Sequence, residues 1–294
     1  MLDNRRQATR FHYALTTSGE PSRPAGWFRE TGAVAGCAAH PADASSDRRD
    51  GSEQILPGGH VNPVVRVGDT VRRPPSAAPY VRDLLHHLER RDWPGAPRWL
   101  GLDDQGREVL SYIEGYVAWE PEQLPGVRSE RSLVAVARLI RQFHDLTAGT
   151  ELARDQEVAC HNDLSPRNTV YRDLGAGLRP VAFIDSDLAT PGARVHDVAH
   201  VCWQYVGLGP GANVERAGRL VGLVADAYGL DTARTTLVDT VLWWQDRCWR
   251  GIDAAADTGE PAMVRLRDRG AVDDVRAAYE WTSRHRSALE RAIA

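Results

Sequence analysis

The chain has 294 residues, enough for one large or two medium domains, and its 42% apolar and 26% charged residues fit a globular protein rather than a fibrous or membrane chain. A net charge of −4 provides no broad basic field for releasing counterions from nucleic acid, so no nucleic-acid partner is expected. All 36 basic residues are Arg, which excludes Walker A loops, Schiff-base lysines and Ser-x-x-Lys nucleophiles and leaves any phosphate clamp to guanidinium groups.

Residues 1–50 hold only Leu2, Phe11, Leu15, Phe28 and Val34 of the types Leu, Ile, Val and Phe, too few for a packed core, and read as a disordered extension. Short β-type runs follow: Val64 to Val67, a Gly68-Asp69 turn, then Thr70 to Arg72, which together read as a hairpin. A helix is expected over 80–91, with Val81, Leu84, Leu85 and Leu88 on one face, and a strand over 109–113. Beyond residue 116 helical spacing dominates. The faces are Leu133, Val136, Ala137, Ile140 and Phe143, then Val214 through Tyr228, then Leu237, Val241, Trp244 and Cys248, and a fourth helix through Val275, Ala278, Tyr279 and Leu289. A β-rich lobe over 51–115 thus precedes an α-rich lobe over 116–294.

Between the helices stand Cys160-His161-Asn162-Asp163-Leu164-Ser165-Pro166-Arg167-Asn168, the strand Thr169 to Tyr171, a glycine-bearing loop, and the strand Val181 to Ile184 ending at Asp185. Two short strands joined by such a loop form an antiparallel hairpin, which sets Asn168 beside Asp185 at its open end. Asp163 lies in the loop feeding that end, so three short oxygen-bearing side chains converge. Oxygen donors without His or thiolate suit Mg²⁺, and a further carboxylate beside a metal can accept the proton of an attacking hydroxyl. That is equipment for phosphoryl transfer.

The run His161-x-Asp163-x4-Asn168, then Ile184-Asp185 and His196-Asp197-Val198-Ala199, resembles the phosphotransferase family of aminoglycoside phosphotransferases and choline kinases. The resemblance covers about residues 55 to 290. It implies an α/β, two-lobed protein-kinase-like fold with a small β-rich N-terminal lobe and a larger, mostly α-helical C-terminal lobe. It also implies Asp163 as catalytic base, Asn168 and Asp185 as Mg²⁺ ligands, and Asp197 as anchor of the loop after the metal site. In the first lobe Leu56-Pro57-Gly58-Gly59-His60 resembles the family's nucleotide loop, so Gly58 and Gly59 would bind the cofactor. Arg72 matches the basic residue that meets the phosphates of ATP or GTP; Arg73 rivals it, because strand register alone decides which faces the cleft. Ser111 to Ile113 would be the hinge that reads the base. Kinases place a Glu on the helix after the third strand to pair with the basic residue, whereas the helix here offers Val81 and Asp83. Ser165 stands where protein kinases often carry Lys.

The function these features imply is an ATP- and Mg²⁺-dependent kinase whose partner is a small-molecule alcohol, such as an aminoglycoside or another amino alcohol. A non-catalytic nucleotide-binding module is the first alternative. A metal-dependent hydrolase built on His196 and His200, which share a helix face, is a weaker one: the zinc-protease motif needs Glu where Asp197 stands. Trp243, Trp244, Asp246, Trp249 and Asp253 read either as core or as a seat for a cationic acceptor. Gly207-x-Gly209-Pro-Gly211 has the wrong spacing for a dinucleotide fingerprint and reads as a loop. Cys37, Cys160, Cys202 and Cys248 make no Cys-x-x-Cys pair, no apolar run is long enough to cross a membrane, and none follows Arg5-Arg6 as in an export signal. The expected setting is therefore cytoplasmic, without a membrane partner.

Overall fold

Period-two alternation builds the first lobe. In the computed structural model, which describes residues 53–56, 64–75, 79–120, 122–175 and 177–293, strands β1 (Gln54–Ile55), β2 (Val65–Val67), β3 (Thr70–Arg73), β4 (Trp99–Leu102) and β5 (Glu108–Ser111) form one sheet. Its order is β1-β2-β3-β5-β4, and each neighbouring pair is antiparallel. The expected hairpin is β2–β3, turning at Gly68, whose φ of +59° is strained for a residue with a Cβ. The Gly58-Gly59 loop and the 1–50 extension lie outside the described residues.

Helix α1 (Pro79–Arg90) buries Val81, Leu84, Leu85 and Leu88, the four residues that helical spacing places on its apolar face. That stripe divides in two. Val81 and Leu85 pack with Leu110 and Val71 of the sheet, while Leu84 and Leu88 pack with Phe143, Ala159 and Ala189 of the second lobe. At about 1.5–3 kcal/mol for each fully buried side chain, the helix fastens the two lobes together.

The second lobe contains β6 (Tyr116–Val117), α2 (Glu130–Thr147), β7 (Val158–Cys160), β8 (Thr169–Asp173), β9 (Leu178–Phe183) and β10 (Thr190–Gly192). After these come α3 (Val195–Gln204), α4 (Val214–Tyr228), α5 (Leu237–Asp257), α6 (Pro261–Asp268), α7 (Ala271–Arg284) and α8 (Arg286–Ile293). Two small sheets, β6-β8-β9 and β7-β10, lie between the helices. Local chemistry sets the helix ends: Ser129 caps α2 by accepting from Ser132 N, Asn213 caps α4 by accepting from Arg216 N, and Gly229 ends α4 at φ +76°. Among the described residues, no helix is long and apolar enough to cross a membrane.

The single helix expected through Val275 and Leu289 is two helices, α7 and α8, and α6 precedes them with Pro261 in its first turn. Neither Gly nor Pro marks the break at His285, whose carbonyl accepts the N–H groups of Ala288 and Leu289 and so starts a new turn. Tertiary packing sets the direction of α8, because Ala292 lies against Gly218 and Gly222 of α4. A Cβ on Gly218 would sit 2.6 Å from the Ala292 Cβ, so the helices approach this closely only with Gly there. Gly218→Val should cost about 1–3 kcal/mol by overpacking and lower the melting temperature, despite the better helix propensity of a residue with a side chain. Unchanged thermal unfolding would show that α8 can move aside.

Candidate active site

The hairpin β8–β9 pairs Thr169 with Phe183, and the Ile184 N–H continues the ladder to the Asn168 carbonyl at 3.0 Å. Asn168 and Asp185 therefore flank the open end as the hairpin predicted, although the strands run on to Asp173 and start at Leu178, longer than expected, with a correspondingly shorter loop. The loop carrying Asp163 is tied to the same place by its neighbours. His161 Nε2 lies 3.1 Å from the Ile184 carbonyl, and Asn162 Nδ2 donates to Leu188 O (3.1 Å) and Thr190 Oγ1 (2.9 Å). Asn168 Nδ2 donates to the Asp163 carbonyl at 3.0 Å and also to Asp163 Oδ2. With its amide nitrogen committed to Asp163, Asn168 keeps Oδ1 as the acceptor end of its side chain.

Asp197, in the first turn of α3, anchors the loop from behind. Its Oδ2 accepts from the His161 N–H (2.8 Å) and from His144 Nε2 (2.9 Å), while Oδ1 accepts from the Asn162 N–H (2.8 Å). Burial opposes its charge, yet the His144 bond, the nearby imidazoles and the His161 N–H hold its pKa down at about 2. Two residues next to these anchors, Asn162 (φ 63°) and Asp185 (φ 62°), adopt left-handed backbone, which Asn and Asp tolerate better than most residues.

Asp163 is buried, and desolvation followed by the Asp185 charge pushes its pKa well above the usual carboxylate range, against the Asn168 hydrogen bond. Burial and then Asp187 push Asp185 up to about 6, opposed by Arg73. Three carboxylates thus crowd a site whose facing cation is Arg73. Its Nη2 donates to Asp187 Oδ1 at 2.7 Å, its Nη1 lies 3.6 Å from Asp185 Oδ1, and its Nε donates to Glu108 Oε2 at 3.0 Å. Burial disfavours the Arg73 charge, but Asp187, Asp185 and Glu108 together keep it firmly protonated.

Residues 150–234 match the model of a phosphotransferase enzyme family. The chain is also 31% identical to the trifolitoxin immunity protein of Rhizobium leguminosarum bv. trifolii, an alignment spanning 82% of this chain and 99% of that one. This chain belongs to the phosphotransferase enzyme family. Among solved structures, a choline/ethanolamine kinase family protein from Mesorhizobium loti superposes with a TM-score of 0.52 at 19% identity, covering 82% of this chain and 93% of that one. An aminoglycoside phosphotransferase from Streptomyces rimosus, solved with ADP and streptomycin, gives 0.51 at 16% identity, covering 68% and 94%. At these identities the likeness shows the fold, which is the two-lobed kinase-like one. Family membership makes the chain a phosphotransferase.

Within this phosphotransferase, Asp163, Asn168 and Asp185 come together and Arg72 does not join them. Arg72 donates to Thr70 Oγ1 and lies 3.7 Å from Asp103, on the opposite face of β3. Register is the cause: Val71 and Arg73 share the face that α1 covers, so period two carries Arg73 toward the second lobe. The packing of Val71 was the signal that could have selected Arg73. Asp83 does not reach either; its side chain is 62% exposed and lies beside Arg82.

Asp187, Glu108 and His144 were not singled out in the sequence. Asp187 could have been found as the next acidic residue after Asp185, but Glu108 and His144 become visible only with strand and helix partners in place. His196 and His200 pack on the Trp244 ring, with centroids 5.6 and 4.4 Å away, and burial holds the His200 pKa down at about 3. Among the described residues they join no third ligating side chain; the one cluster of that kind is His144, Cys160 and Asp197, whose carboxylate is already filled by N–H donors. Trp244 is core, Trp243 is exposed, Asp246 pairs with Arg250 at 2.8 Å and Asp253 with Arg267 at 3.4 Å.

Asp197→Asn keeps the shape but places an amide N–H₂ against donors, and should destabilise the fold by about 3 kcal/mol or more, the range for breaking a buried pair. The folded pKa of Asp197 lies below the ordinary 3.8, so its contribution is present above that value and lost as pH falls through about 2. Unfolding free energies measured between pH 7 and pH 2 should show wild type losing about 2 kcal/mol from this group, a loss missing from the Asn variant.

Proposed function

We propose that this phosphotransferase moves the γ-phosphoryl group of ATP or GTP to the hydroxyl of a small alcohol, with Asp163 as the proton acceptor and Mg²⁺ as cofactor. The observation that carries the reading is the meeting of Asp163, Asn168, Asp185 and Arg73 at the open end of the β8–β9 hairpin. The donor set fits Mg²⁺. It consists of hard oxygens from Asn168 and Asp185, with Asp187 close by on the same Arg73 guanidinium. When bound, the ion supplies charge neutralisation and orientation for the phosphate oxygens.

The chain's own residues do the rest. Asp163 takes the proton of the attacking hydroxyl; its oriented Oδ2 is fixed by Asn168, and burial makes the carboxylate, once ionised, more basic than an exposed one. Arg73, the sheet cation that faces Asp185 and Asp187, meets the phosphates in place of the expected Arg72. Ser111 and Tyr112 give their N–H groups to Arg98 O and Asp69 O, so Ile113 is the hinge residue left to meet the base. The acceptor carries a hydroxyl. Asp246 and Asp253 already face arginines, so they supply no argument for a cationic one.

Asp163→Asn should leave nucleotide binding intact and reduce turnover by about 100-fold or more, the usual contribution of a positioned base. The check is ADP release across a panel of alcohols that includes aminoglycosides and choline-type amines; near-normal turnover with the best acceptor would remove Asp163 from the role. Asp185→Ala should abolish the tightening of nucleotide binding by Mg²⁺ seen in calorimetry, leaving the metal-free affinity measurable. An equal Mg²⁺ effect in both proteins would place the metal elsewhere.

A further inference from the structure

Arg73 is held in a way that a lysine could not be. Its guanidinium presents donors in a planar fork, and each nitrogen meets a different carboxylate: Nε donates to Glu108, Nη2 donates to Asp187, and Nη1 makes a 3.6 Å ion pair with Asp185. Glu108 is the residue directly opposite Arg73 in the β3–β5 pairing, and opposite residues of an antiparallel pair project from the same face. The carboxylate on Nε is the sheltered one and the carboxylate on Nη1 the accessible one: the Glu108 side chain is 9% exposed and that of Asp185 is 41% exposed. No side chain of α1 shares this duty among the contacts described; Asp83 points to solvent.

We infer that Glu108 is a positioning residue: a carboxylate supplied by a strand, not by a helix, that fixes Arg73 through Nε so that both Nη groups stay aimed at the phosphates. The inference rests on the proposed role of Arg73 in meeting nucleotide phosphates and adds the residue that makes it effective. Before nucleotide arrives, the Nη groups neutralise Asp185 and Asp187. When it arrives they are free to turn to phosphate oxygens, while the bond to the sheltered Glu108 carboxylate persists. The nearly planar fork makes this possible, because the Nε bond and the Nη contacts do not compete for the same N–H groups.

The test is a double-mutant cycle on the full chain, with Glu108→Gln, Arg73→Ala and the combination, reading nucleotide affinity in the presence of Mg²⁺, acceptor KM and melting temperature. Glu108→Gln keeps the shape and removes the charge. It should weaken nucleotide binding about fivefold to tenfold, an effect the size of one ordinary hydrogen bond because the neutral amide oxygen can still accept from Nε, with acceptor KM unchanged. Arg73→Ala should weaken it further, and adding Glu108→Gln to Arg73→Ala should cause no additional loss. Additive losses, or a Gln variant that binds nucleotide like wild type while Arg73→Ala does not, would overturn the positioning role alone. Nucleotide affinity untouched by Arg73→Ala would instead overturn the phosphate role of Arg73, and this inference with it. The melting temperature separates both from misfolding. If the Gln variant unfolds, Glu108→Asp, which keeps the charge on a shorter arm, should fold and bind with an intermediate affinity; wild-type affinity in that variant would count against a geometrically fixed anchor.

Discussion

The arrangement depends on one buried carboxylate, Asp197, which receives three N–H groups: two from the backbone at His161 and Asn162 and one from His144. A buried charge is tolerable only when it is well bonded, and this one is, in the first turn of a helix whose N-terminal dipole favours negative charge. Because two of the three donors are backbone groups immediately before Asp163, the carboxylate fixes main-chain direction, not merely a side chain. His144 comes from α2, and its Nδ1 lies 2.8 Å from the Tyr228 hydroxyl of α4, so the loop is referred to two core helices at once. The left-handed turn at Asn162 persists because both its N–H and its side-chain amide are bound on opposite sides.

Charge balance at the hairpin end follows from that fixed backbone. Asp163 and Asp185 are raised above the usual carboxylate range first by desolvation and then by a neighbouring carboxylate, Asp185 acting on Asp163 and Asp187 on Asp185. Arg73 reaches Asp185 and Asp187 from the other lobe, so these ion pairs also join the sheet to the hairpin.

Much of this was legible from spacing, and the limits are instructive. Two short strands and a glycine loop sufficed to bring Asn168 to Asp185, because hairpin geometry is local and its ends must meet. Helix faces were legible for the same reason: Leu133, Val136, Ala137, Ile140 and Phe143 are all buried as their spacing requires. Whether Arg72 or Arg73 faces the cleft was not, since adjacent residues in a strand differ by a face and only the partner sheet assigns the faces. Long-range partners were equally invisible. Glu108 is 35 residues from Arg73 and His144 is 53 from Asp197, and neither pairing leaves a local pattern. The break between α7 and α8 was hidden because no helix-breaking residue causes it.

The position of the Arg73 anchor can be traced to α1. In a kinase-like lobe the helix after the third strand is free to offer a carboxylate only if one side of it is not needed for packing. Here the inward surface of α1 is fully used: Val81 and Leu85 face the sheet, and Leu84 and Leu88, one position away on each turn, face the second lobe. A glutamate at any of these four places would put a charge into an apolar contact, and the helix's own acidic residues, Asp83 and Glu89, lie beside Arg82 and Arg98. The sheet offers an alternative at no packing loss, since the β5 residue opposite Arg73 lies at the end of its strand, beside the second lobe, where a carboxylate meets a guanidinium instead of a hydrocarbon. Using α1 to clamp the lobes together and β5 to hold the cation are therefore two consequences of a single allocation of surface, and Arg in place of Lys supplies the extra donor that this anchor requires.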